Sequence, residues 1–475
     1  MTEPSAPIEL LVKVDRDGPA TLGAQVEDQL RRAIRDGGLR AGARLPSTRD
    51  LARQLGVSRR VTIDAYAQLA AEGYLALRQG AQPRVAAVAP AEPAAGPAAT
   101  APPAPRHDFR PSRPDVSAFP RAAWGRCIRE ALAGMPDGEL SYGDPLGVLE
   151  LRSALADYLG RVRGVVAEPE RVLVTNGYRQ GLGLLCHALV AAGARRMAVE
   201  DPSIADQVPV ATRAGLEVVG VPVDDRGIDV AGLAAAGADA VVLTPAHQSP
   251  TGVVLAPDRR SALVAWLRDT DALAIEDDYD AEYRYDRAAV GALQGLDPDR
   301  VVYAGTTSKV LAPALRMGWM VLPARLVAPV REEKLIADQG SARIDQHAFA
   351  SFLARGDLDR HLRRMRAEYR GRRDALVSAL AAELPEASVH GIAAGLHVTV
   401  RLPAGDDAEA VRLHAERRRV ALHTMADFRT ERPAEPVLLL GYGEIAAPAI
   451  PAGVRALATA VREARGQRAS RYART

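Results

Sequence analysis

The stretch Tyr303–Trp319, "YAGTTSKVLAPALRMGW", overlaps the end of the apolar run "RVVYAGT" and contains one lysine, Lys309. The hydroxyl residues at 306–308 precede this lysine, and Arg316 follows it. Hydroxyl groups and a guanidinium can bind a phosphate ester, and a lysine amine held beside an aldehyde can form a Schiff base with it. The stretch therefore predicts a buried strand that ends in a site for a phosphorylated aldehyde.

Apolar runs with the length of buried strands recur along the chain around this stretch. Helical patterns lie between most of them, and that alternation is typical of a parallel α/β sheet. The strand candidates are "RVLVTNG", "RMAVED", "EVVGVPVD", "AVVLTPA", "LAIEDDY" and "RVVYAGT". The later stretches "SVHGIAAGLHVTVRL", "VALHTMADF" and "PVLLLGYG" predict a smaller α/β subdomain at the carboxyl end. We therefore predict an α/β fold with a mostly parallel sheet.

Two further motifs place polar groups at the ends of these strands. In "VTNGYRQGLGLL" a strand leads through a glycine turn into a helix, so the backbone N–H groups of Gly177, Tyr178 and Arg179 can bind a phosphate. In "IEDDYDAEYRY" Asp277 and Tyr279 come at the carboxyl end of a strand, where parallel sheets collect ligand-binding groups. A carboxylate there can pair with a protonated pyridine nitrogen and a tyrosine can reach a ring hydroxyl, although acidic residues at a strand end are commonly only caps.

The amino-terminal part of the chain is organised differently. "LGAQVEDQLRRAIRDG", "LPSTRDLARQLG" and "SRRVTIDAYAQLAAEG" predict three helices, because apolar residues recur at helical spacing and each segment ends at a glycine. We expect Ser47 or Thr48 to cap the second helix, and the third to begin at Ser58 with Val61 on its buried face. The corner "LGVS" is typical of a helix-turn-helix. The next stretch, "YLALRQGAQPRVAAV", predicts two short strands, a wing.

The third segment has the composition of a helix that contacts DNA. Such a helix enters the major groove with its first residues near the base edges. Those residues are Ser58, Arg59, Arg60 and Thr62, and Arg49 lies at the start of the preceding helix. Arginines can contact phosphates or bind guanine through two hydrogen bonds. The alternative is that the spacing arises by chance and the arginines only make a helical domain soluble.

Charge and composition divide the chain into parts. Between Ala20 and Ala86 there are 11 arginines, 6 acidic residues and no lysine, whereas the whole chain has a formal net charge of +2. A basic module fits a polyanionic partner. The stretch "AAVAPAEPAAGPAATAPPAPRHD" is almost entirely Ala, Pro and Gly, which predicts an extended tether. We therefore predict a DNA-binding domain at residues 8–86, a flexible linker at 87–107 and an effector domain at 108–466.

The remaining bulk properties exclude several classes of protein. The chain of 475 residues is 48% hydrophobic and 25% charged, as in ordinary globular proteins. It has no apolar run long enough to span a membrane, and its start lacks the pattern of a signal peptide. Neither the two cysteines, Cys127 and Cys186, nor the 9 histidines have metal-ligand spacing. We expect a cytoplasmic protein without a metal site.

The stretch "LRRAIRDGGLRAGARLPSTRDLARQLGVSRRVTIDAYAQLAAEGYL" closely resembles the winged-helix domain of GntR-type bacterial transcription regulators. The resemblance covers nearly all of residues 20–86. It implies that Arg49, Ser58 and Arg59 contact DNA. The wing tip departs from the family, because "QGAQPR" stands where the family often has Gly-Ser-Gly. The family's minor-groove contacts are therefore not carried over to this wing.

From about His107 onward the chain resembles the fold-type I aminotransferases, which use pyridoxal 5′-phosphate (PLP). The motifs "SYGDPLGVLELRSALADYL", "TNGYRQGLGLL", "TPAHQSPTG", "IEDDYDAEYRY" and "TTSKVLAPALRMG" match in this order. The resemblance implies that Lys309 is the Schiff-base lysine, that Asp277 pairs with the pyridine nitrogen and that Tyr279 contacts the ring oxygen O3′. It also implies a group of residues that hold the phosphate, namely Gly177, Tyr178, Thr306 and Arg316.

A GntR-type winged helix joined by a linker to such a domain resembles the MocR subfamily of regulators, including its pyridoxine-regulating members. This resemblance spans essentially the whole chain. It implies that the aminotransferase-like domain binds PLP, and sometimes an amino compound, instead of working as a metabolic enzyme. It also implies a homodimer, because fold-type I sites form between subunits.

The sequence departs from the aminotransferase pattern in three places. Ile204 lies near the place where many relatives have an aromatic residue that stacks on the PLP ring. The dipeptide Leu438–Leu439 stands where active enzymes have the arginine for the substrate carboxylate, and Arg429 and Arg432 are the nearest candidates for that role. Ser249 stands where aminotransferases often have asparagine. These changes weaken the case for efficient transamination, leave PLP binding intact and fit a protein that senses PLP.

We therefore expect a PLP-dependent, DNA-binding transcription regulator with no catalytic residues of its own to assign. Its partners would be double-stranded DNA with two half-sites, PLP with or without an amino-compound effector, and a second copy of the chain. It would regulate vitamin B6 or amino-compound metabolism. Two other functions stay open: a working aminotransferase that the winged helix only localises, and a DNA-binding regulator whose PLP site is vestigial.

Overall fold

The chain divides into two compact units, and the division falls between Pro102 and Pro103. Most of the predicted linker, residues 88–103, lies outside the part of the chain that the structure describes. The structure is a computed structural model that describes residues 12–87, 104–280, 282–285, 290–391, 394–429 and 435–472, with residues 468–472 described by their backbone only.

The amino-terminal unit is a winged helix-turn-helix, as predicted. Its elements are the helices α1 (Leu22–Arg35), α2 (Thr48–Leu55) and α3 (Arg59–Ala71) and the antiparallel strands β1 (Leu75–Ala76) and β2 (Arg84–Val85). Ser47 is the N-cap of α2, where its hydroxyl accepts a hydrogen bond of 3.2 Å from the backbone N–H of Asp50. Gly56 ends α2 in the left-handed conformation that glycine adopts at little cost. These caps fix the corner that leads into α3 at Ser58.

The core of this unit lies between α1 and α3. The apolar residues that recur along α1, Val26, Leu30 and Ile34, are buried there. The buried face of α3 consists of Thr62, Ala65, Tyr66 and Leu69, whereas Val61 is only half-buried. Of the predicted face with Val61, Ala65 and Leu69, the last two residues are buried as expected. At the start of the helix Thr62 is buried in place of Val61.

The carboxyl-terminal unit alternates strands and helices. Its helices are α4 (Arg121–Gly134), α5 (Leu149–Arg163), α6 (Tyr178–Ala191), α7 (Gln207–Ala214), α8 (Val230–Ala236), α9 (Pro257–Thr270), α10 (Thr307–Val310), α11 (Ala324–Asp338), α12 (Arg343–Ala354), α13 (Asp357–Glu383), α14 (Ala408–Arg417) and α15 (Ile450–Tyr472). Its strands are β3 (His107–Asp108), β4 (Val172–Thr175), β5 (Arg196–Asp201), β6 (Glu217–Asp224), β7 (Gly227–Ile228), β8 (Ala240–Leu243), β9 (Leu273–Asp277), β10 (Val301–Thr306), β11 (Gly318–Val321), β12 (Ser388–His390), β13 (His397–Arg401), β14 (Val420–Ala421), β15 (His423–Thr424) and β16 (Val437–Gly441). No helix among the described residues is long and apolar enough to cross a membrane.

The main sheet has eight strands in the order β4-β11-β10-β9-β8-β5-β6-β7. The five strands from β10 to β6 are parallel, whereas β11 and β7 pair antiparallel with their neighbours. Strands β4, β8, β9, β10 and β11 are buried along their whole length, because helices cover the sheet. The six predicted strands of this sheet are confirmed. Strand β11 was not predicted, although it begins within the stretch quoted first.

The smaller subdomain is built on a second sheet. Strands β12, β13, β16 and β15 form it in this order, and all neighbouring pairs are antiparallel. Helices α14 and α15 pack on each other beside it. The short strand β3 lies at the predicted end of the linker and pairs in parallel with β14. The chain therefore enters the carboxyl-terminal unit along this subdomain.

Candidate functional sites

One cavity of about 330 Å³ lies at the carboxyl end of β9 and β10, beside the start of α6. Six of the seven predicted cofactor-binding residues line it, namely Tyr178, Asp277, Tyr279, Thr306, Lys309 and Arg316. The seventh, Gly177, is the N-cap of α6 and lies against Arg316, since a Cβ atom added to this glycine would be 3.2 Å from Arg316 Nη2. The structure thus brings the predicted residues together around one space. Their individual roles stay predictions.

One end of the cavity carries hydrogen-bond donors suited to a phosphate. The first backbone N–H groups of α6 have no acceptor within the helix, and they follow Gly177, whose φ of 94° favours glycine. Arg316 Nη2 donates to the carbonyl oxygen of Asn176 at 2.9 Å, which places its guanidinium beside this turn. Ser308 also lines the cavity, and its hydroxyl accepts a bond of 3.0 Å from Thr306. A helix N-terminus flanked by an arginine and hydroxyls is a common anion site.

The neighbouring hydroxyl of Thr307 is not available at this end. Its side chain is fully buried and its Oγ1 donates to the carbonyl oxygen of Met317 at 2.9 Å. Sequence reasoning counted Thr307 among the hydroxyl donors of the site, and the structure corrects this. The hydroxyl instead ties the start of α10 to the residue that precedes β11.

Lys309 has the environment of a reactive amine. Its Nζ donates a hydrogen bond of 2.6 Å to the carbonyl oxygen of Ser112. Burial lowers the pKa of Lys309 below its ordinary value, and the carboxylates of Asp280 and Asp277 oppose this shift. A lower pKa leaves more of the amine uncharged, and only the uncharged amine attacks an aldehyde. The environment therefore fits the predicted role.

Asp277 carries a carboxylate that faces the cavity without a partner. Among the described residues none donates a hydrogen bond to it, although the residue is only 4% exposed. Burial raises the pKa of this carboxyl to about 8, and the neighbouring Asp278 adds to the rise. Asp278 itself lies on the other side of the strand, where Arg163 Nε and the Tyr303 hydroxyl each donate to it at 2.7 Å. A buried carboxylate aimed into a cavity without a donor fits a ligand that brings a positively charged N–H group.

A histidine that sequence reasoning did not single out fixes Tyr279. His247 Nδ1 lies 3.1 Å from the Tyr279 hydroxyl and 3.1 Å from the Asp280 carboxylate. An ionised carboxylate can only accept, so Nδ1 must carry the hydrogen that bonds to Asp280. Toward the Tyr279 oxygen the same N–H can only donate, so the tyrosine hydrogen must go to another acceptor, and the Asp280 carboxylate is one such neighbour. His247 therefore orients Tyr279 as a donor.

The departures from the aminotransferase pattern occupy the expected places. Ile204 and Ser249 line the cavity. Leu438 is apolar and fully buried within β16, so this position offers no charge to a substrate carboxylate. Arg429 Nη2 bonds to Glu435 at 2.7 Å, whereas Arg432 lies outside the described residues. The only arginine side chains among the described residues that line the cavity are therefore Arg316 and Arg179, and the latter is paired with Asp206.

Several lining residues come from parts of the chain that sequence reasoning did not connect with the site. Pro111 and Ser112 arrive from the segment after the linker, and His423 and Phe428 come from the smaller subdomain. These residues are more than a hundred positions from Lys309 in the sequence, and only the tertiary fold brings them to the same cavity. No local sequence motif therefore marks them. Gln207 also lines the cavity and bonds to the Tyr178 hydroxyl at 3.3 Å. Because it lies three residues after Ile204, it is the one of these lining residues that the sequence could have indicated.

The candidate DNA-binding residues belong to the other unit and are mostly exposed. Arg49, Ser58, Arg59 and Arg60 are solvent-exposed at the starts of α2 and α3. Arg60 pairs with Asp64 one turn later at 2.8 Å. The prediction for Thr62 was wrong. Its side chain is fully buried, and its hydroxyl donates to the carbonyl oxygens of Thr48 and Arg59, so it joins α2 to α3 instead of facing a ligand.

Comparison with known proteins agrees with both units. Residues 118–432 match the family of class I and II aminotransferases, and residues 22–85 match the gntR family of bacterial regulatory proteins. The pyridoxine biosynthesis transcriptional regulator PdxR of Corynebacterium glutamicum is 37% identical over 82% of this chain and 86% of its own length. The probable rhizopine catabolism regulatory protein MocR of Rhizobium meliloti is 30% identical over 95% and 96%.

A solved structure shows the same fold for the carboxyl-terminal unit. The α-aminoadipate aminotransferase LysN of Thermus thermophilus, crystallised with N-(5′-phosphopyridoxyl)-L-leucine, superposes with a TM-score of 0.68 at 25% identity, over 76% of this chain and 93% of that one. Class I and II aminotransferases use PLP, and the unpaired Asp277 carboxylate, the buried Lys309 amine and the donors near Gly177 fit this cofactor. The cofactor of the carboxyl-terminal unit is therefore PLP. Together with the gntR-type unit, these matches show that the chain belongs to the MocR subfamily of GntR-type transcription regulators.

Proposed function

We propose that the chain regulates transcription in response to PLP itself. The observation that carries this proposal is the cavity around Lys309, which offers a complete set of groups for PLP but no free guanidinium among the described residues for the carboxylate of an amino acid. The similar regulator PdxR is named for pyridoxine biosynthesis. We therefore infer that genes of vitamin B6 metabolism are the targets, with amino-compound metabolism as the second candidate.

In the cofactor site each residue has a proposed task. PLP supplies an aldehyde and an electron-withdrawing ring, with which amines react reversibly. Lys309 provides the amine, Asp277 pairs with the ring nitrogen, and Tyr279 donates to the ring oxygen. The phosphate would be held by the start of α6, with Gly177 and Tyr178, and by the side chains of Thr306 and Arg316. Ile204 covers one face of the ring without aromatic stacking.

We infer that sustained transamination is not the function. Repeated turnover requires that the carboxylates of successive amino and keto acids are bound, for which a bidentate guanidinium is the usual group. Arg429 is bonded to Glu435, and the β16 positions are leucines. A single half-reaction with an amine remains compatible with Lys309. Continued conversion of amino and keto acids by the purified protein would favour the enzyme instead.

In the amino-terminal unit we propose that α3 enters the major groove of DNA. Arg59 and Ser58 would contact DNA at the start of α3, Arg60 would exchange Asp64 for a phosphate, and Arg49 would reach the backbone from α2. Phosphate contacts of this kind make the affinity strongly dependent on salt. The protein would act on the bacterial chromosome in the cytoplasm.

We further propose a homodimer that binds two half-sites. Leu140 and Tyr142, which are 65% and 86% exposed, line a surface hollow of the carboxyl-terminal unit, and such apolar exposure is typical of an interface. Two winged helices on tethers bind two half-sites more tightly than one does alone. Sedimentation of the full chain tests the dimer, and Tyr142→Asp is expected to weaken it.

The proposed function is tested by measuring the affinity of the full chain for DNA from upstream of its own gene, with and without PLP. A change in affinity or footprint with PLP alone supports PLP sensing. An unchanged affinity, with PLP bound according to its visible absorbance, would assign the response to a second, amino-bearing effector.

A further inference from the structure

The hydrogen bond between Lys309 and Ser112 connects the cofactor cavity to the end of the linker. Ser112 accepts this bond with its backbone carbonyl oxygen at 2.6 Å, and its side of the cavity is completed by Pro111. The φ of Ser112 is 60°, in the left-handed region that a residue other than glycine rarely adopts. Such a conformation is strained and persists only where neighbouring contacts hold it. The bond from Lys309 is one of those contacts.

The segment Ala104–Ser112 runs from the linker to this bond and is held along its length. At its beginning, Arg419 Nη2 donates to the carbonyl oxygen of Ala104 at 2.7 Å, and the Arg419 carbonyl accepts from the backbone N–H of Arg106 at 2.8 Å. Farther along, the N–H of Phe109 donates to the carbonyl of Ala421 at 2.8 Å. The segment is therefore bonded to the smaller subdomain from one end to the other.

The backbone at the end of the segment is also in close contact with two glycines of the smaller subdomain. A Cβ atom added to Gly441 would lie 2.3 Å from the carbonyl oxygen of Arg110, and one added to Gly443 would lie 2.1 Å from that of Arg113. The N–H of Gly441 donates to the Phe109 carbonyl at 2.6 Å. Tightly packed backbone transmits a displacement instead of absorbing it. A shift at Ser112 should therefore reach Ala104, where the linker begins.

Lys309 cannot keep the same hydrogen bond to Ser112 once its Nζ has formed a covalent bond to an aldehyde. The ammonium group of Lys309 must first release one proton, and the Nζ lone pair that this exposes would then form the bond to the aldehyde carbon. The aldehyde oxygen would leave as water, carrying the released proton and one of the two hydrogens of the amine. Nζ then keeps one hydrogen instead of three. With PLP bound, Nζ would be held by the aldehyde carbon and would have a single hydrogen to donate, which would weaken its hold on the Ser112 carbonyl.

We propose that Ser112 is a positioning residue for Lys309 and that the loss of this hydrogen bond when PLP binds is the signal passed to the linker. The carbonyl of Ser112 holds the amine in place while PLP is absent. Once Nζ is bonded to PLP, Ser112 loses its hydrogen bond with Lys309. The segment Ala104–Ser112 is then held less firmly against β14 and β16. This inference rests on the proposed sensing of PLP and names the path by which it is reported.

Hydrogen–deuterium exchange of the full chain tests the first step. The amides of Arg106, His107 and Phe109 report on the segment, because all three donate to carbonyls of the β14 region. We expect PLP to speed their exchange several-fold in the wild type. Lys309→Met removes the donor, so exchange should be fast with and without PLP. Lys309→Arg keeps a donor that cannot react with an aldehyde, so exchange should stay slow in both conditions.

Two outcomes of this experiment would overturn the proposal: exchange of the segment that PLP leaves unchanged or slows in the wild type, or slow exchange in the Lys309→Met variant without PLP. These outcomes are independent of DNA. If PLP failed to alter DNA affinity in the wild type, the proposed function would be wrong, while the exchange rates would still decide whether Ser112 responds to the cofactor.

A variant outside the cavity tests the second step. Arg419→Met removes the side-chain bond to Ala104, and Arg417→Met changes an exposed arginine two residues away as a matched control. We expect both variants to bind PLP like the wild type, by absorbance. The effect of PLP on DNA affinity should fall several-fold in Arg419→Met and persist in Arg417→Met. A full response in Arg419→Met would show that the signal does not travel through this segment.

Discussion

Replacing His247 with leucine is predicted to change the protonation of bound PLP, although His247 lies behind Tyr279. In the wild type His247 Nδ1 donates to both Asp280 and Tyr279, so it competes with the tyrosine hydroxyl for the Asp280 carboxylate and favours donation of the tyrosine hydrogen to the cofactor. Without the imidazole, the nearby Asp280 carboxylate becomes the preferred acceptor for the Tyr279 hydroxyl. The ring oxygen of PLP would then lose a donor that stabilises its deprotonated form.

The size of the effect follows from the type of bond. A hydrogen bond to a charged group contributes about 1.5–3 kcal/mol. One pKa unit corresponds to about 1.4 kcal/mol, so complete loss of the bond in Tyr279→Phe should raise the pKa of the cofactor by about 1–2 units. The shift is upward because the lost donor favoured the deprotonated form. In His247→Leu the hydroxyl is only turned away, so we expect about 1 unit or somewhat less.

The assay is a pH titration of the visible absorbance of the PLP-bound protein. His247→Asn provides the control, because its amide can donate to the same two acceptors, and its titration should stay close to that of the wild type. The double variant His247→Leu/Tyr279→Phe should titrate like Tyr279→Phe alone, since the histidine acts through the tyrosine. An unshifted titration in His247→Leu, or additive shifts in the double variant, would refute this reasoning.

Three further predictions concern other residues. Thr62→Val should destabilise the amino-terminal unit by about 1–3 kcal/mol, because it removes the hydroxyl hydrogen that the Thr48 and Arg59 carbonyls share. The folded variant should keep its DNA affinity, whereas Arg59→Ala should lose it, and melting curves and DNA titrations separate the two effects. Asp277→Asn should weaken PLP binding and yet raise the melting temperature of the PLP-free protein, most clearly above about pH 8. The pKa of Asp277 is raised from 3.8 to about 8, so this residue's contribution to stability is fully present below the unfolded value and is lost as pH rises through the folded one; an equal pH dependence of both proteins would contradict this. Ile204→Phe should tighten PLP binding by about 0.5–1.5 kcal/mol through stacking on the ring, and a dissociation constant that does not fall would show that residue 204 does not cover the ring.

Helical periodicity and strand-like runs predicted most of the fold, because they reflect local geometry. The end of α2 at Gly56 and the six strands of the main sheet were predicted in this way, and Ser47 was one of the two N-cap candidates. Strand β11 was missed because its place depends on antiparallel pairing with β10 and β4, which no local pattern shows. The position of such a strand is decided by tertiary contacts.

The two errors among the site residues have a common physical cause. Thr62 and Thr307 were assigned to ligands because hydroxyl groups bind phosphates, but both hydroxyls donate to backbone carbonyls inside the protein. For Thr62 the signal was present in the sequence, since residues 62, 65, 66 and 69 share one helix face and the last three are apolar or aromatic. For Ser112 no signal was present, because its role depends on a backbone carbonyl and on a contact 197 positions away.

The most direct test of the account compares the DNA affinity of the wild type and of Lys309→Ala, each with and without PLP, on DNA from upstream of the gene. We predict that the wild type changes its affinity with PLP, whereas Lys309→Ala binds the DNA but does not respond. A Lys309→Ala variant that responds to PLP as fully as the wild type would contradict the central claim that this lysine detects the cofactor.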